Sequence, residues 1–153
     1  MANYYTSGSI AVELRDLDVD QVKLVLERVA AAICLSQYEQ NLIENPNIAW
    51  ELDDFTTGYT IEIDEEDGIL YVYDEEDFNP EHVERLLLAF AAAFNIEEPF
   101  TAMWCSHCDK PRPNAFTGCG FVVQHEQPTK WFSIHDQITE YLNEIRVANE
   151  RTV

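Results

Sequence analysis

Positive charge is what this chain has least of: nine Lys and Arg stand against 29 Asp and Glu in 153 residues, a formal net charge of -20 and a pI near 4.2. Every phosphate contact needs a cation, so a direct grip on nucleic acid or on an anionic membrane surface is disfavoured. Glycine and proline are sparse, five and six residues. No fixed period recurs, which excludes fibrous and low-complexity architectures. Long apolar runs are missing as well, the longest being Val29 to Leu35 and Leu86 to Phe94. Both fall far short of the roughly 20 residues that span a bilayer. Met1 to Gly8 has no basic cluster followed by an apolar core, so no secretory signal is read there and a cytoplasmic location is expected. Phosphate loops, dinucleotide fingerprints and nucleophile elbows are also absent. Nothing orders a base, an orienting acid and an oxyanion site around a nucleophile, so no catalytic residue is assigned and the chain is read as a non-enzyme.

What is present is enough to fold. Hydrophobic residues make up 46% and aromatics 12%, and a chain of this length buries about two thirds of its unfolded surface as one domain, residues 1–153. Gly8 to Leu14 alternates Ile10, Val12 and Leu14 against Ala11 and Glu13, the period of a half-buried strand. Asp18 with Gln21 forms a capping box for a helix carrying Val19, Val22, Leu26, Val29, Ala30 and Ile33 and ending before Pro46. Trp50 to Phe55 reads as a short strand or loop. Tyr59, Ile61, Ile63 and Ile69, Tyr71, Tyr73 flank Asp64 to Gly68 as a hairpin.

Asn79, Pro80 and Glu81 then start a helix with Val83, Leu86, Leu87, Phe90 and Phe94 on one face, closed by Asn95. Phe100 to Cys105 and Gly118 to Gln124 read as strands around a connection holding Pro111, Pro113 and Asn114, with a short edge at Thr129 to Phe132. Ser133 and Asp136 cap a closing helix whose Ile134, Ile138, Tyr141, Leu142 and Ile145 predict a buried stripe. The order predicts an α+β fold. It is expected to be a ferredoxin-like βαββαβ antiparallel sheet with helices on one face, plus an added hairpin strand and a C-terminal helix.

Charge is unevenly distributed. Val29 to Glu84 contains 16 acids and no Lys or Arg, whereas the remainder holds 13 acids and all nine bases. The densest parts are Glu51, Asp53 and Asp54; Glu62, Asp64, Glu65, Glu66 and Asp67; and Asp74, Glu75, Glu76 and Asp77. These fall mostly on connections and so on the surface. A duplex carries one charge per about 1.7 Å, so 16 carboxylates match roughly eight base pairs. Such a surface imitates nucleic acid and suits a basic protein groove, with Trp50, Phe55, Tyr59, Tyr71 and Tyr73 as anchors; for the alternating tyrosines core packing is the favoured reading. The competing explanation is an acidic surface that serves solubility. An EF-hand aligned on Gly68 is excluded, because its first ligand position would be Ile63.

Cys105, Cys108 and Cys119, with His107 or His125, have zinc-like spacing, and the alternative is three unligated structural thiols. If the chain chelates, the strand must end in a turn between Cys105 and Cys108.

Cys108, Lys110 and Arg112, then Phe116 and Gly118, then Trp131 before a helix, form a C-x-K-x-R, F-x-G-x-G, W-F pattern. It resembles a recurring tail of small uncharacterised bacteriophage proteins; Cys105 and Cys119 stand outside it. The resemblance implies a viral origin and no mechanism. Joined to the acidity, it implies a mimic aimed at a host defence machine such as a CRISPR effector or restriction enzyme: anti-CRISPR or anti-restriction activity, host–virus interaction, host cytoplasm, no membrane. The alternative is a small scaffold or assembly module, with or without one structural zinc, that forms a homodimer through its sheet or terminal helix.

Overall fold

Alternation decides the first strand. Along β1 (Tyr4–Glu13), Ile10 and Val12 are buried on one face while Ser9, Ala11 and Glu13 are exposed on the other, and Leu14 continues the buried side. In the computed structural model, which describes residues 3–110 and 117–151, there follow α1 (Val19–Glu44), a 3₁₀ turn (Leu52–Asp54), β2 (Thr60–Asp64) and β3 (Ile69–Asp74). The chain continues through α2 (Pro80–Phe94), β4 (Phe100–Cys108), β5 (Thr117–Val123), β6 (Lys130–Ser133) and α3 (Ile134–Arg151).

Helix starts follow their caps. Asn79 accepts from the His82 amide with Pro80 in the first turn, and Asn95 closes α2 in the left-handed region at φ 51°. At α1 the Asp18 carboxylate takes the Asp20 amide at 2.9 Å rather than reaching Gln21. Ser133 accepts from the Asp136 amide at 3.3 Å and opens α3.

All strand pairs are antiparallel, in the order β2-β3-β1-β4-β5-β6. One face carries Leu70, Val72, Ile10, Val12, Ala102, Phe121 and Val123 against Val22, Leu26, Val29 and Ile33 of α1 and Val83, Leu86, Leu87 and Phe90 of α2. This single apolar layer is the core. Gly8 lets the Phe78 ring lie on β1, since a Cβ there would come within 2.6 Å of the ring.

The mixed α+β class with an antiparallel sheet is therefore found, but three finer expectations change. The sheet has six strands and its order continues beyond β4 through both β5 and β6, unlike the ferredoxin-like plan with one added strand. The Trp50 to Phe55 segment forms a 3₁₀ turn, held by the Glu51–Asp54 capping box rather than by strand pairing. Finally, α3 buries none of its residues. Its first residue, Ile134, packs over Gly118, whose cross-strand partner Cys105 is on the face opposite Ala102 and Trp104. So α3 starts on the face that α1 and α2 leave bare, and runs out over solvent. Among the described residues no helix is long and apolar enough to cross a membrane.

Candidate partner-binding surface

The acids gather around the β2–β3 hairpin, whose β2 is one of the two outer strands of the sheet. At one end of the β2–β3 hairpin lie Asp64, Glu65, Glu66 and Asp67; at the other lie Asp74, Glu75, Glu76 and Asp77. Strand β3 separates the two groups by about 17 Å, at about 3.4 Å per residue. Glu62, exposed on the bare face of β2, stands between them. Glu51, Asp53 and Asp54 lie on the helical layer, where Gln37 of α1 donates to the Thr56 carbonyl at 2.9 Å and Cys34 reaches the Phe55 carbonyl. They approach the Asp74 end through Gly58, whose carbonyl accepts from the Asn79 amide.

These carboxylates divide by job. Asp64 accepts from the Asp67 amide, and Asp74 accepts from both the Glu76 and Asp77 amides, so each builds a tight turn. Asp54 and Glu51 cap one another's backbone. Glu62 accepts from the Tyr73 hydroxyl at 2.9 Å, and that bond holds the Tyr73 phenol above its ordinary range. Glu65 pairs with Lys23 at 2.8 Å and raises the lysine in return. Of the twelve, Glu65 alone has an ion-pair partner among the described residues. Asp53, Glu66, Asp67, Glu75, Glu76 and Asp77 keep exposed side chains.

The aromatic residues interleaved with the acids split between the faces. Tyr59 is buried on the core side, and burial pushes its phenol up to about 12. Its hydroxyl has no hydrogen-bond partner among the described residues. Tyr71 is exposed on the bare face with Tyr73 beside it, while Phe55 joins Trp50 and Tyr38 in a small cluster against α1. No family model, curated protein or solved structure matches this chain.

The cysteine and histidine cluster does not assemble. Strand β4 runs unbroken through Cys108, so Cys105 and His107 point to the bare face while Cys108 points to the core face. Cys119 shares the core face, opposite Trp104, but lies four register positions from the place opposite Cys108, about 14 Å along the strand. His125 lies beyond the far end of β5, next to Glu126 at 3.7 Å. Among the described residues no group of three His, Cys, Asp or Glu side chains could hold a metal. These residues do not fit the expected zinc, since unbroken strand pairing forbids the turn it requires. Pro111 to Phe116, with Arg112 and Phe116 of the phage-like pattern, lie outside the described residues.

One arrangement escaped the sequence reading. Ser7 and His107 meet across β1 and β4, with Ser7 Oγ 3.2 Å from His107 Nε2 and the Tyr5 ring 5.4 Å from the imidazole. The Ser7 hydroxyl donates to the Glu75 carbonyl. A hydroxyl has one proton, so His107 acts here as the donor to Ser7 and not as a base upon it. The group ties β4 to the acidic connection after β3. Its signal was available only through register, because 100 residues separate its two side chains.

Proposed function

We propose that this chain is a non-enzymatic acidic binding protein, phage-encoded and acting in the host cytoplasm, that occupies the basic nucleic-acid-binding groove of a host protein. The observation that carries this reading is the pair of acidic clusters at the two ends of the β2–β3 hairpin, with all but one of the twelve carboxylates lacking an ion-pair partner among the described residues. Charges this close repel one another and cost stability, which a cationic partner relieves on binding. A lined groove of Lys and Arg would draw such a surface in quickly at low salt and lose the competing nucleic acid. The segment β2-β3-β1-β4 with α1 and α2 is read as a ferredoxin-like core that holds the edge rigid. Edge protection is the other service acids perform at an unpaired strand, but it needs only a charge or two on the strand itself.

The test is a pull-down from host lysate at low and high salt, followed by competition between the chain and DNA for each purified capture. The variant Glu66→Gln/Asp67→Asn/Glu75→Gln/Glu76→Gln/Asp77→Asn spares the turn-forming Asp64 and Asp74. It is expected to weaken capture by about tenfold or more at low salt. Equal capture and equal DNA displacement by wild type and variant would overturn the proposal.

A further inference from the structure

Helix α3 carries an apolar stripe none of whose residues is buried among the described residues. Ile134, Ile138, Tyr141 and Ile145 follow one another at spacings of four, three and four residues, and Ala148 extends the series by three. That is the seam of a left-handed helix pair. Their exposures are 54% for Ile134, 56% for Ile138, 63% for Tyr141 and 41% for Ile145, and the adjoining Leu142 is 58% exposed. At its first turn the stripe runs into a groove of about 390 Å³ on the bare face of β4 and β5, between Met103, Gly120, Val122 and Phe132. Met103 is 77% exposed there.

We propose that this stripe is the interface of a homodimer, formed by α3 packing antiparallel on the α3 of a second copy about a twofold axis near Leu142. Three features select a second copy as the occupant. The first is area: the five stripe residues with Met103 and Phe132 expose about 100 Å² each, about 700 Å² of apolar surface, against the about 800 Å² per partner of a stable interface once its polar rim is added. The second is charge along the helix. Asp136, Glu140 and Glu144 occupy its first two thirds, and Arg146 and Arg151 with Glu150 its end, so antiparallel alignment sets the more basic end of each copy beside the acidic start of the other. The helix dipoles also oppose.

The third feature is the location of the remaining charge. A protein at -20 repels its own copies, and β2 and β6 are opposite edges of the sheet. Five strand spacings put β2 about 24 Å from β6, and three put Glu76 and Asp77, which pair with β1 at Thr6, about 14 Å from it, both beyond a Debye length of about 8 Å at physiological salt. Self-association is therefore least opposed at the end where α3 emerges. The dimer would direct two acidic edges outward, and it does not depend on what those edges bind.

Sedimentation equilibrium on the full chain over a range of concentrations tests the proposal. Wild type is expected at twice 17.7 kDa, and the dimer should persist at high salt because its seam is apolar. Ile138→Glu/Ile145→Glu should weaken dimerisation by about 100-fold or more, since each carboxylate would be buried without a partner. These residues are exposed in the single chain, so its denaturant midpoint measured at low protein concentration should not fall. A wild-type monomer at every concentration, or a dimer that survives Ile138→Glu/Ile145→Glu, would overturn the proposal.

Discussion

Helices α2 and α3 present nearly the same pattern and meet opposite fates. Each has apolar residues at helical spacing and a side-chain cap at its start, Asn79 for one and Ser133 for the other. Yet α2 buries Val83, Leu86, Leu87, Phe90 and Ala91, and α3 buries nothing. An amphipathic period identifies which side of a helix avoids water. It does not say what will cover that side. For α2 the cover is the apolar face of the sheet together with α1; among the described residues α3 meets chiefly β5 and β6, at Gly118 and its neighbours.

The sharpest break of this comparison is a matched truncation. Phe90→Ala, at a residue 1% exposed and stacked on Phe94 and Phe100, should cost about 3–5 kcal/mol in urea unfolding. Ile138→Ala, measured at low protein concentration, should stay within about 0.5 kcal/mol. A large loss at Ile138 under those conditions would mean that α3 folds back onto its own domain.

Two glycines repeat the contrast on the sheet. In Gly8→Ala the new methyl meets the buried Phe78 ring at 2.6 Å and should cost about 1–3 kcal/mol. In Gly118→Ala it meets only the end of the exposed Ile134 side chain, which can turn aside, so thermal melts should place its loss well below that of Gly8→Ala.

Tyr59 tests the core side through pH. Its phenol ionises near 10 when unfolded and at about 12 in the fold, chiefly through burial. The raised value means its contribution is complete below pH 10 and is lost as pH rises through 12, by about 1 kcal/mol midway. Tyr59→Phe should flatten that part of the stability profile; an unchanged slope between pH 10 and 12 would show that another group sets it.

Smallest are the caps. Asn79→Ala should lower global stability by about 1 kcal/mol, because α2 is part of the core. Ser133→Ala should instead fray the first turn of α3, seen as faster amide exchange at Asp136 with little change in the unfolding midpoint. Equal global losses from both would erase the distinction between the helices.

Most element positions were legible in the sequence, because caps, turn residues and periodicity are local signals. The β2–β3 hairpin, the start of α2 at Asn79 and its end at Asn95 illustrate this. The acidic groups were legible too, since connections lie on the surface whatever the fold. Less could be read of what each carboxylate does: Asp64 and Asp74 build turns and Glu65 pairs with Lys23, which lies 42 residues away. The cysteines left zinc and unligated thiols both open, since C-x2-C spacing describes a site only when the backbone turns. Here β4 continues to Cys108 because β1 pairs with it as far as Tyr4.

Local order along the chain, then, was determined by the sequence alone: alternation made strands, a period near 3.6 made helices, and a cation-free tract made a region of one sign. Tertiary structure alone decided which apolar faces found cover, which acids kept free side chains, and that Ser7 would meet His107. The reason is physical. A side chain's preference for or against water is its own, but its neighbours come from strand register and layer packing, which join residues as many as 106 positions apart.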